Sequence, residues 1–236
     1  MARTGAALAG MAVLLLIPAS GSAQNASYLP NVRLDGPAFL GPPPAADGPR
    51  QKADLAAVRA WQGDKAGARW RQAQSDDDIS PFTAFGQVLG PQFTPERLPK
   101  TKALFVVLFD DVKSVTAPAK AAFGRPRPPL VDRRIETCRP LEQTASYPSG
   151  HAARGWMMAL LLSDMAPERT NALLARGRDY GDSRVVCGEH FPSDVEAGRL
   201  VGAAVAGAAR QDPRFRQDLA EARAELRSAL GLPALP

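Results

Sequence analysis

Histidine and cysteine are scarce in this chain, whose 236 residues include two of each. Two histidines leave little material for a metal centre, and neither an HExxH helix nor a Cys/His pattern with zinc spacing occurs. We therefore predict that the protein holds no metal. His151 and His190 both lie among small, polar, turn-forming residues. A lone histidine in such surroundings is usually a hydrogen-bonded, partly buried side chain, but the residues around these two favour catalysis.

Long apolar runs and basic clusters are missing as well. Beyond the N-terminus, the apolar segments 103–109, 157–162 and 200–209 are far shorter than the roughly 20 residues that cross a bilayer. No basic run alternates with aromatic residues, which make up 6% of the chain, so we expect no nucleic-acid partner. The net charge of +5 agrees with a small anionic ligand.

Residues 1–23 have the pattern of a signal peptide. Arg3 precedes an apolar stretch over residues 6–17, and small residues follow at 21–23, as expected before a cleavage site. Because this apolar stretch is too short to cross a bilayer comfortably, a retained membrane anchor is the weaker alternative. We predict export to the periplasm, with secretion as the alternative, and no membrane attachment after cleavage.

Export bears on the interpretation of Cys138 and Cys187. In an oxidising compartment two cysteines most simply form one disulfide, which contributes about 4 kcal/mol in the chain-entropy model. The bond would tie Cys187, three residues before His190, to the segment ahead of Ser149. Two buried free thiols are the alternative.

Helical periodicity without a period-2 strand pattern predicts an all-α fold. Residues 24–50 are rich in proline and glycine and are expected to form an extended arm. Residues 51–236 are expected to form one helical domain. The predicted helices cover residues 51–74, 82–88, 95–122 with a break near Pro118, 150–165, 169–180, 192–209 and 213–230.

Three adjacent carboxylates, Asp76 to Asp78, interrupt this helical pattern. They suggest a cation site, but no ligand spacing follows them. Carboxylates in this position more often cap the next helix. We predict that role for them.

Three short motifs carry the chemistry. In chain order they are Lys120 followed after six residues by Arg127-Pro128, then Pro148-Ser149-Gly150-His151, then Ser183-Arg184, five residues, His190, three residues and Asp194. In this order and spacing they resemble the signature of the type 2 phosphatidic-acid-phosphatase-like superfamily, which includes the vanadium haloperoxidases and has an all-α bundle fold. Together with the Tyr28-Leu29-Pro30 arm, they resemble the class A bacterial nonspecific acid phosphatases over most of the chain.

The resemblance implies that His190 is the nucleophile and forms a phosphohistidine. Asp194, four residues later, can accept a hydrogen bond from one ring nitrogen and fix the tautomer and orientation of the imidazole. His151 would protonate the leaving oxygen and then activate water. We expect the highest activity at mildly acidic pH, where His151 is largely protonated.

Without a metal, fixed cations and N–H groups must stabilise the charge of the phosphoryl transition state. Lys120, Arg127 and Arg184 would supply the cations. Ser149 would add a hydroxyl, and Gly150 would let the backbone approach the phosphate at a helix N-terminus. The other arginines near these motifs are expected to form surface salt bridges: Arg125, Arg133, Arg134 and Arg139.

The predicted activity is metal-independent hydrolysis of phosphate monoesters with broad specificity and without a cofactor. Phosphotransfer to other alcohols can compete with hydrolysis, and vanadate is the expected inhibitor because it mimics the trigonal-bipyramidal phosphoryl centre. The resemblance also suggests a homo-oligomer. The alternatives are a vanadate-dependent haloperoxidase, a lipid phosphatase, and a secreted phosphate-binding or structural protein without activity.

Overall fold

The chain folds into helices joined by loops. The computed structural model describes residues 1, 27–63 and 65–235, so the predicted signal peptide, apart from Met1, lies outside the described residues. None of the described residues forms a β-strand, and the predicted all-α fold is confirmed. The α-helices are α1 (Gly36–Leu40), α2 (Pro49–Trp61), α3 (Ala68–Ser75), α4 (Pro81–Leu89), α5 (Pro99–Phe123), α6 (Pro128–Val131), α7 (Gly150–Met165), α8 (Thr170–Val186), α9 (Pro192–Ala209) and α10 (Pro213–Ala229).

Helix α7 is the centre of the bundle. It packs most extensively against α8 and α9, while α5 and α10 pack against each other and against α7. A side-chain carbon at Gly198 of α9 would overlap the carbonyl oxygen of Ser149, so glycine lets the two helices approach closely. At this approach the Ser149 N–H donates to the carbonyl oxygen of Asp194 at 2.9 Å. The first turns of α7 and α9 therefore lie side by side.

The main hydrophobic core lies between these central helices. Leu108 and Val112 of α5, Met157 and Leu161 of α7 and Val205 of α9 are buried within it. Fully burying one such side chain contributes about 1.5–3 kcal/mol. Among the described residues, no helix is both long enough and apolar enough to cross a bilayer.

Helix α5 continues through Pro118, where the sequence predicts a break. Pro118 cannot donate to the carbonyl of Ser114, but both residues are exposed, so water can satisfy that carbonyl. The helix ends at Gly124, which has a φ of 56° and whose N–H bonds to the carbonyl oxygen of Lys120 at 3.0 Å. Lys120 is thereby placed in the last turn of α5.

The predicted end of helix α8 is also wrong. Helix α8 does not end near Gly181 but continues to Val186. Gly181 is buried, and a side-chain carbon there would lie 3.3 Å from Ala152, so this glycine permits close packing instead of ending the helix. The extension places Arg184 in the last turn of α8.

The helix predicted over residues 51–74 is divided into two, because α2 ends at Trp61 and α3 begins at Ala68. Gln62 leaves the helical path, and its amide nitrogen donates to the carbonyl oxygen of Glu136 at 2.6 Å. Helix α5 also begins later than predicted, at Pro99.

The N-terminal arm lies against the bundle. Its backbone N–H at Tyr28 donates to Asp111 of α5 at 3.0 Å, and the Tyr28 hydroxyl donates to Asp218 of α10 at 2.7 Å. The Tyr28 ring meets Phe215 edge-on, with centroids 5.2 Å apart. Between residues 27 and 48 the arm contains one short helix, α1.

Candidate active site

His190 and Asp194 form a buried pair near the junction between the end of α8 and the start of α9. Nδ1 of His190 lies 3.4 Å from Oδ2 of Asp194. The same oxygen accepts hydrogen bonds from the Ser146 hydroxyl at 2.5 Å and from the Phe191 N–H at 2.9 Å. Because an ionised carboxylate can only accept, Nδ1 of His190 carries the proton and Nε2 keeps its lone pair. This tautomer suits a nucleophilic Nε2.

The surroundings keep this pair in its reactive charge state. Burial lowers the pKa of His190 to about 4, opposed by the hydrogen bond to Asp194 and reinforced by Lys120 and Arg127. Burial raises the pKa of Asp194, but its contacts with His190 and Arg125 outweigh burial and leave that pKa below its usual value. At mildly acidic pH the imidazole is therefore neutral and the carboxylate ionised.

Arg125 lies beneath this pair and not on the surface, where the sequence places it. Its side chain is 4% exposed. Nη1 donates to Oδ1 of Asp194, Nη2 lies 2.9 Å from Oδ2 of Asp54 on α2, and the guanidinium lies 4.2 Å above the Phe191 ring. Arg125 thus holds the Asp194 carboxylate from the side opposite His190.

His151, the second residue of α7, faces the loop between α3 and α4. Its Nε2 lies 3.1 Å from the carbonyl oxygen of Asp77, and since a carbonyl only accepts, Nε2 carries a proton. Burial lowers the pKa of His151 to about 3, reinforced by Arg184 and opposed by the Asp77 carbonyl. The expected protonation of His151 at mildly acidic pH therefore requires additional negative charge, such as a bound phosphate group supplies.

The two arginines predicted to bind phosphate, Arg127 and Arg184, are buried. Arg127 is 1% exposed and donates to Glu189 at 2.6 Å and to Glu142 at 2.5 Å. Arg184 is equally buried; its Nη1 lies 3.2 Å from Asp77, and its Nη2 donates to a main-chain carbonyl of α3. Both guanidinium groups are therefore fixed by carboxylates.

Lys120 completes the set of cations. Its ammonium group donates to the carbonyl oxygen of Ala145. Burial lowers the pKa of Lys120 to about 8, and the neighbouring charge of Arg127 adds to the effect. Lys120 and Arg127 both lower the pKa of His190, and Arg184 lowers that of His151. The structure thus brings the three predicted cations within electrostatic range of the two histidines.

Ser149 and Gly150 start helix α7 beside these groups. The Ser149 hydroxyl caps the helix by accepting a hydrogen bond from the Ala152 N–H at 3.3 Å. Gly150 is the first helical residue, and the first-turn N–H groups of a helix have no partners within that helix. These groups and the positive end of the helix dipole are suited to binding an anion.

Three further charged side chains link the two buried arginines through ion pairs. Arg139 pairs with Asp77 at 2.7 Å and with Glu142, the carboxylates that contact Arg184 and Arg127. We call Asp77, Arg139 and Glu142 the carboxylate bridge. Asp77 is 34% exposed, Glu142 38% and Arg139 24%. Arg139 thus forms the salt bridges that the sequence predicts, but at a half-buried position.

The prediction that the acidic triplet caps the next helix is wrong, because the N-cap of α4 is Ser80. Asp77 belongs to the carboxylate bridge, and Asp76 pairs with Arg176 of α8. Asp78 accepts a hydrogen bond from the Ser80 N–H at 3.0 Å just before α4, but Ser80 itself is the N-cap. Within residues 27–63 and 65–235, no group of three His, Cys, Asp or Glu side chains could hold a metal ion.

Comparisons with known proteins agree with this geometry. A family model of the PAP2 superfamily matches residues 100–218. The chain is 38% identical to the non-specific acid phosphatase of Salmonella typhimurium over 208 residues, which are 84% of this chain and 83% of the relative. It is 33% identical to the non-specific acid phosphatase of Providencia stuartii over 208 residues, 84% of each chain. The chain belongs to the PAP2 superfamily and, within it, to the class A acid phosphatases.

A third relative of this acid phosphatase is the acid phosphatase of Zymomonas mobilis, 32% identical over 203 residues, which are 81% of this chain and 75% of the relative. The resemblance drawn from the three motifs and the predicted enzyme class are therefore confirmed. The predicted disulfide is present in the acid phosphatase, between Cys138 and Cys187 with Cα atoms 5.0 Å apart. It fixes the segment before Ser149 to the end of α8.

Several residues of the acid phosphatase site escape the motif-based prediction. Arg125 had a signal, since it stands two residues before Arg127 in an Arg-Pro-Arg-Pro sequence. Ser146 stands in the second motif region, four residues before Gly150. Asp77 and Glu142 give no local signal for their contacts with the buried arginines, because Arg184 is 107 residues from Asp77 and Arg127 is 15 residues from Glu142.

Proposed function

We propose that this protein hydrolyses phosphate monoesters, without a metal or another cofactor, through a phosphohistidine at His190. The observation that carries the proposal is the pairing of His190 with Asp194, which leaves Nε2 unprotonated within electrostatic range of Lys120 and Arg127. A neutral imidazole of fixed tautomer is the form that attacks phosphorus. The similarity to named acid phosphatases supports the same reaction.

Charge stabilisation is assigned to the side-chain cations. Lys120, Arg127 and Arg184 neutralise the phosphate oxygens, with the Ser149 hydroxyl and the Gly150 N–H as further donors. Two guanidinium groups can bind oxygens in pairs, which fixes the orientation of the phosphoryl group. Because these groups contact only the phosphate, the alcohol part of the substrate is left largely unselected, and broad specificity follows.

The proposed reaction proceeds in two steps, phosphorylation of His190 and hydrolysis of the phosphohistidine. Nε2 of His190 bonds to phosphorus while the ester P–O bond breaks, and protonated His151 gives its proton to the leaving oxygen. Water then attacks the phosphohistidine and gives a proton to His151, the P–N bond breaks, and orthophosphate leaves. An alcohol in place of water gives phosphotransfer. Bound phosphate raises the low pKa of His151 by its negative charge, so the protonated form is available at mildly acidic pH.

The biological setting is proposed from the sequence. Residues 1–23 are proposed to direct export to the periplasm and to be removed, leaving the arm of residues 24–50 and the helical domain of residues 51–236. Small-molecule phosphomonoesters are the proposed substrates. Vanadate is the proposed inhibitor, and a homo-oligomer is the proposed assembly.

The decisive experiment compares the wild type with His190→Ala on p-nitrophenyl phosphate. We expect loss of at least about a thousandfold in kcat, since the nucleophile is removed. Acid quenching of the wild type during turnover of a ³²P-labelled substrate should trap acid-labile label on histidine. Activity should persist in EDTA and be inhibited by vanadate. Full activity of His190→Ala, or reversible loss in EDTA, would overturn the mechanism, and peroxide-dependent halide oxidation without phosphate release would select a haloperoxidase.

A further inference from the structure

Arg154 is a cation beside the site that the mechanism above does not use. It lies on α7 three residues after His151 and four after Gly150, so it shares their face of the helix. It makes neither a hydrogen bond nor an ion pair with any residue that the structure describes, and its Nε is buried. Its guanidinium carbon lies over the Phe109 ring of α5, 5.8 Å from the ring centroid.

The guanidinium of Arg154 lies against the start of α7. A side-chain carbon at Gly150 would be 3.6 Å from its Nη1. Arg154 also lowers the pKa of His151. It therefore lies near the histidine assigned to the leaving oxygen, whereas Lys120 and Arg127 act on His190. The leaving-group side of the site thus has a cation of its own.

This cation is held at an energetic cost. Burial lowers the pKa of Arg154, and Tyr180, Asp110 and Glu142 offset part of that effect only from a distance. The other buried arginines of the site each contact a carboxylate directly: Arg125, Arg127 and Arg184. A partly buried cation without a partner is unfavourable unless it acquires one. An anionic group on the substrate would be such a partner.

We propose that Arg154 forms, with the Phe109 ring beneath it, a subsite for an anionic group on the alcohol part of the substrate. The substrates it would favour are phosphomonoesters that carry a carboxylate or a second phosphate beyond the ester oxygen. This inference rests on the proposed function and adds a preference to it. Hydrogen bonds between charged groups are typically worth enough to change affinity by about tenfold or more.

The test compares two substrates that differ only in the distal group. 3-Phosphoglycerate has a carboxylate where glycerol 3-phosphate has a CH₂OH group, and both are primary alkyl phosphates. We expect the wild type to prefer 3-phosphoglycerate in kcat/KM, mainly through a lower KM. In Arg154→Met the ratio of the two kcat/KM values should fall about tenfold or more, and Arg154→Lys should restore part of it. An unchanged ratio in Arg154→Met would overturn the subsite.

A control separates local from long-range charge effects. Arg97 is exposed and precedes α5 at the end opposite Lys120, so Arg97→Met makes the same change of net charge far from the site. It should leave the substrate ratio unaltered; a fall equal to that of Arg154→Met would reduce the effect to net charge and overturn the proposal. Calorimetry with His190→Ala measures the binding of both substrates without turnover and so gives the substrate preference directly. An Arg154-dependent preference there, with no hydrolysis by the wild type, would reject the proposed function and leave the subsite standing.

Discussion

Lys120 and His190 set the pH range in which the site has its working charges. His190 is neutral above its pKa of about 4, and Lys120 is charged below its pKa of about 8. Going down in pH, the proposed nucleophile His190 is protonated near pH 4. Going up, Lys120, which is proposed to bind phosphate, loses its charge near pH 8. Between these values His190 is neutral and Lys120 is charged.

Substitution of Lys120 should change the alkaline limb of the pH profile. For the wild type we expect kcat/KM to rise through about pH 4, to be highest at mildly acidic pH where bound phosphate keeps His151 protonated, and to show a further fall above about pH 8 as Lys120 loses its charge. Lys120→Arg keeps its charge to higher pH, so its alkaline limb should move upward, and Lys120→Met should lose at least about tenfold near pH 6. Lys102→Met, an exposed lysine on α5, is the matched control. If the alkaline limb stayed near pH 8 in Lys120→Arg, the group that titrates there would not be Lys120.

Glu142 should compete with phosphate for Arg127. Burial raises the pKa of Glu142, but Arg127 and Arg139 outweigh it and lower that pKa to about 2, so the carboxylate is ionised at every working pH. Glu142→Gln removes the competing charge and should tighten inhibition by orthophosphate by about three- to tenfold. The control is Glu136→Gln, since Glu136 is 68% exposed and pairs with Lys65. Weaker phosphate inhibition in Glu142→Gln would show that this carboxylate supports binding.

The sequence predicts the residues proposed to contact phosphate better than the residues that position their side chains. His151, Arg184 and His190 could be named because their spacing along the chain is specific. Arg125 could not be placed, because Asp54 and Asp194, the carboxylates that bury it, lie 71 and 69 residues away. An arginine followed by prolines has no local feature that tells a surface position from a buried one.

At the scale of helices, the approach of α9 to α7 positions His190, the proposed nucleophile. Gly198→Ala would press a methyl group against the Ser149 carbonyl oxygen, so we expect destabilisation of about 1–3 kcal/mol by urea unfolding and a several-fold lower kcat. Gly207→Ala, in the same helix but with nothing within 4 Å of the added carbon, should stabilise by up to about 1 kcal/mol. Equal effects of the two substitutions would mean that helix propensity, and not close packing, decides.

Helix boundaries were predictable only where the ending residue acts locally. Gly124, with its positive φ, ends α5 by its own conformation. Gly181 has the same side chain but serves contacts with α7 and α9, and Pro118 is tolerated because it faces solvent. Which of these roles a glycine or proline takes depends on neighbouring helices, and a single sequence does not specify those neighbours.

For the whole molecule, the stabilising core and the charged site occupy different parts of the bundle. The largest apolar cluster includes Leu108, Met157 and Val205 and supplies most of the buried apolar surface. At the site, Arg127, Arg184 and both histidines are buried, which costs desolvation free energy. The site therefore reduces stability, and the amount depends on pH because both histidines are held neutral.

The contribution of His151 to acid sensitivity can be isolated by substitution. The folded pKa of His151 is about 3, below the usual value of about 6.5. Above pH 6.5 the imidazole is neutral in both the folded and the unfolded chain, so it does not change the free energy of unfolding. As the pH falls below about 6.5, the unfolded chain binds the proton and the folded chain does not, so the fold is destabilised. At pH 4.5 the cost is about 2–3 kcal/mol. His151→Gln cannot titrate, and between pH 7 and pH 4.5 it should lose about 2–3 kcal/mol less unfolding free energy than the wild type in urea titrations. Other acid-sensitive groups are common to both proteins and cancel in this difference.

Saturating orthophosphate should reduce the loss of unfolding free energy in the wild type, since the bound anion raises the pKa of the His151 imidazole. Identical losses in the two proteins without phosphate would mean that His151 is protonated in the fold.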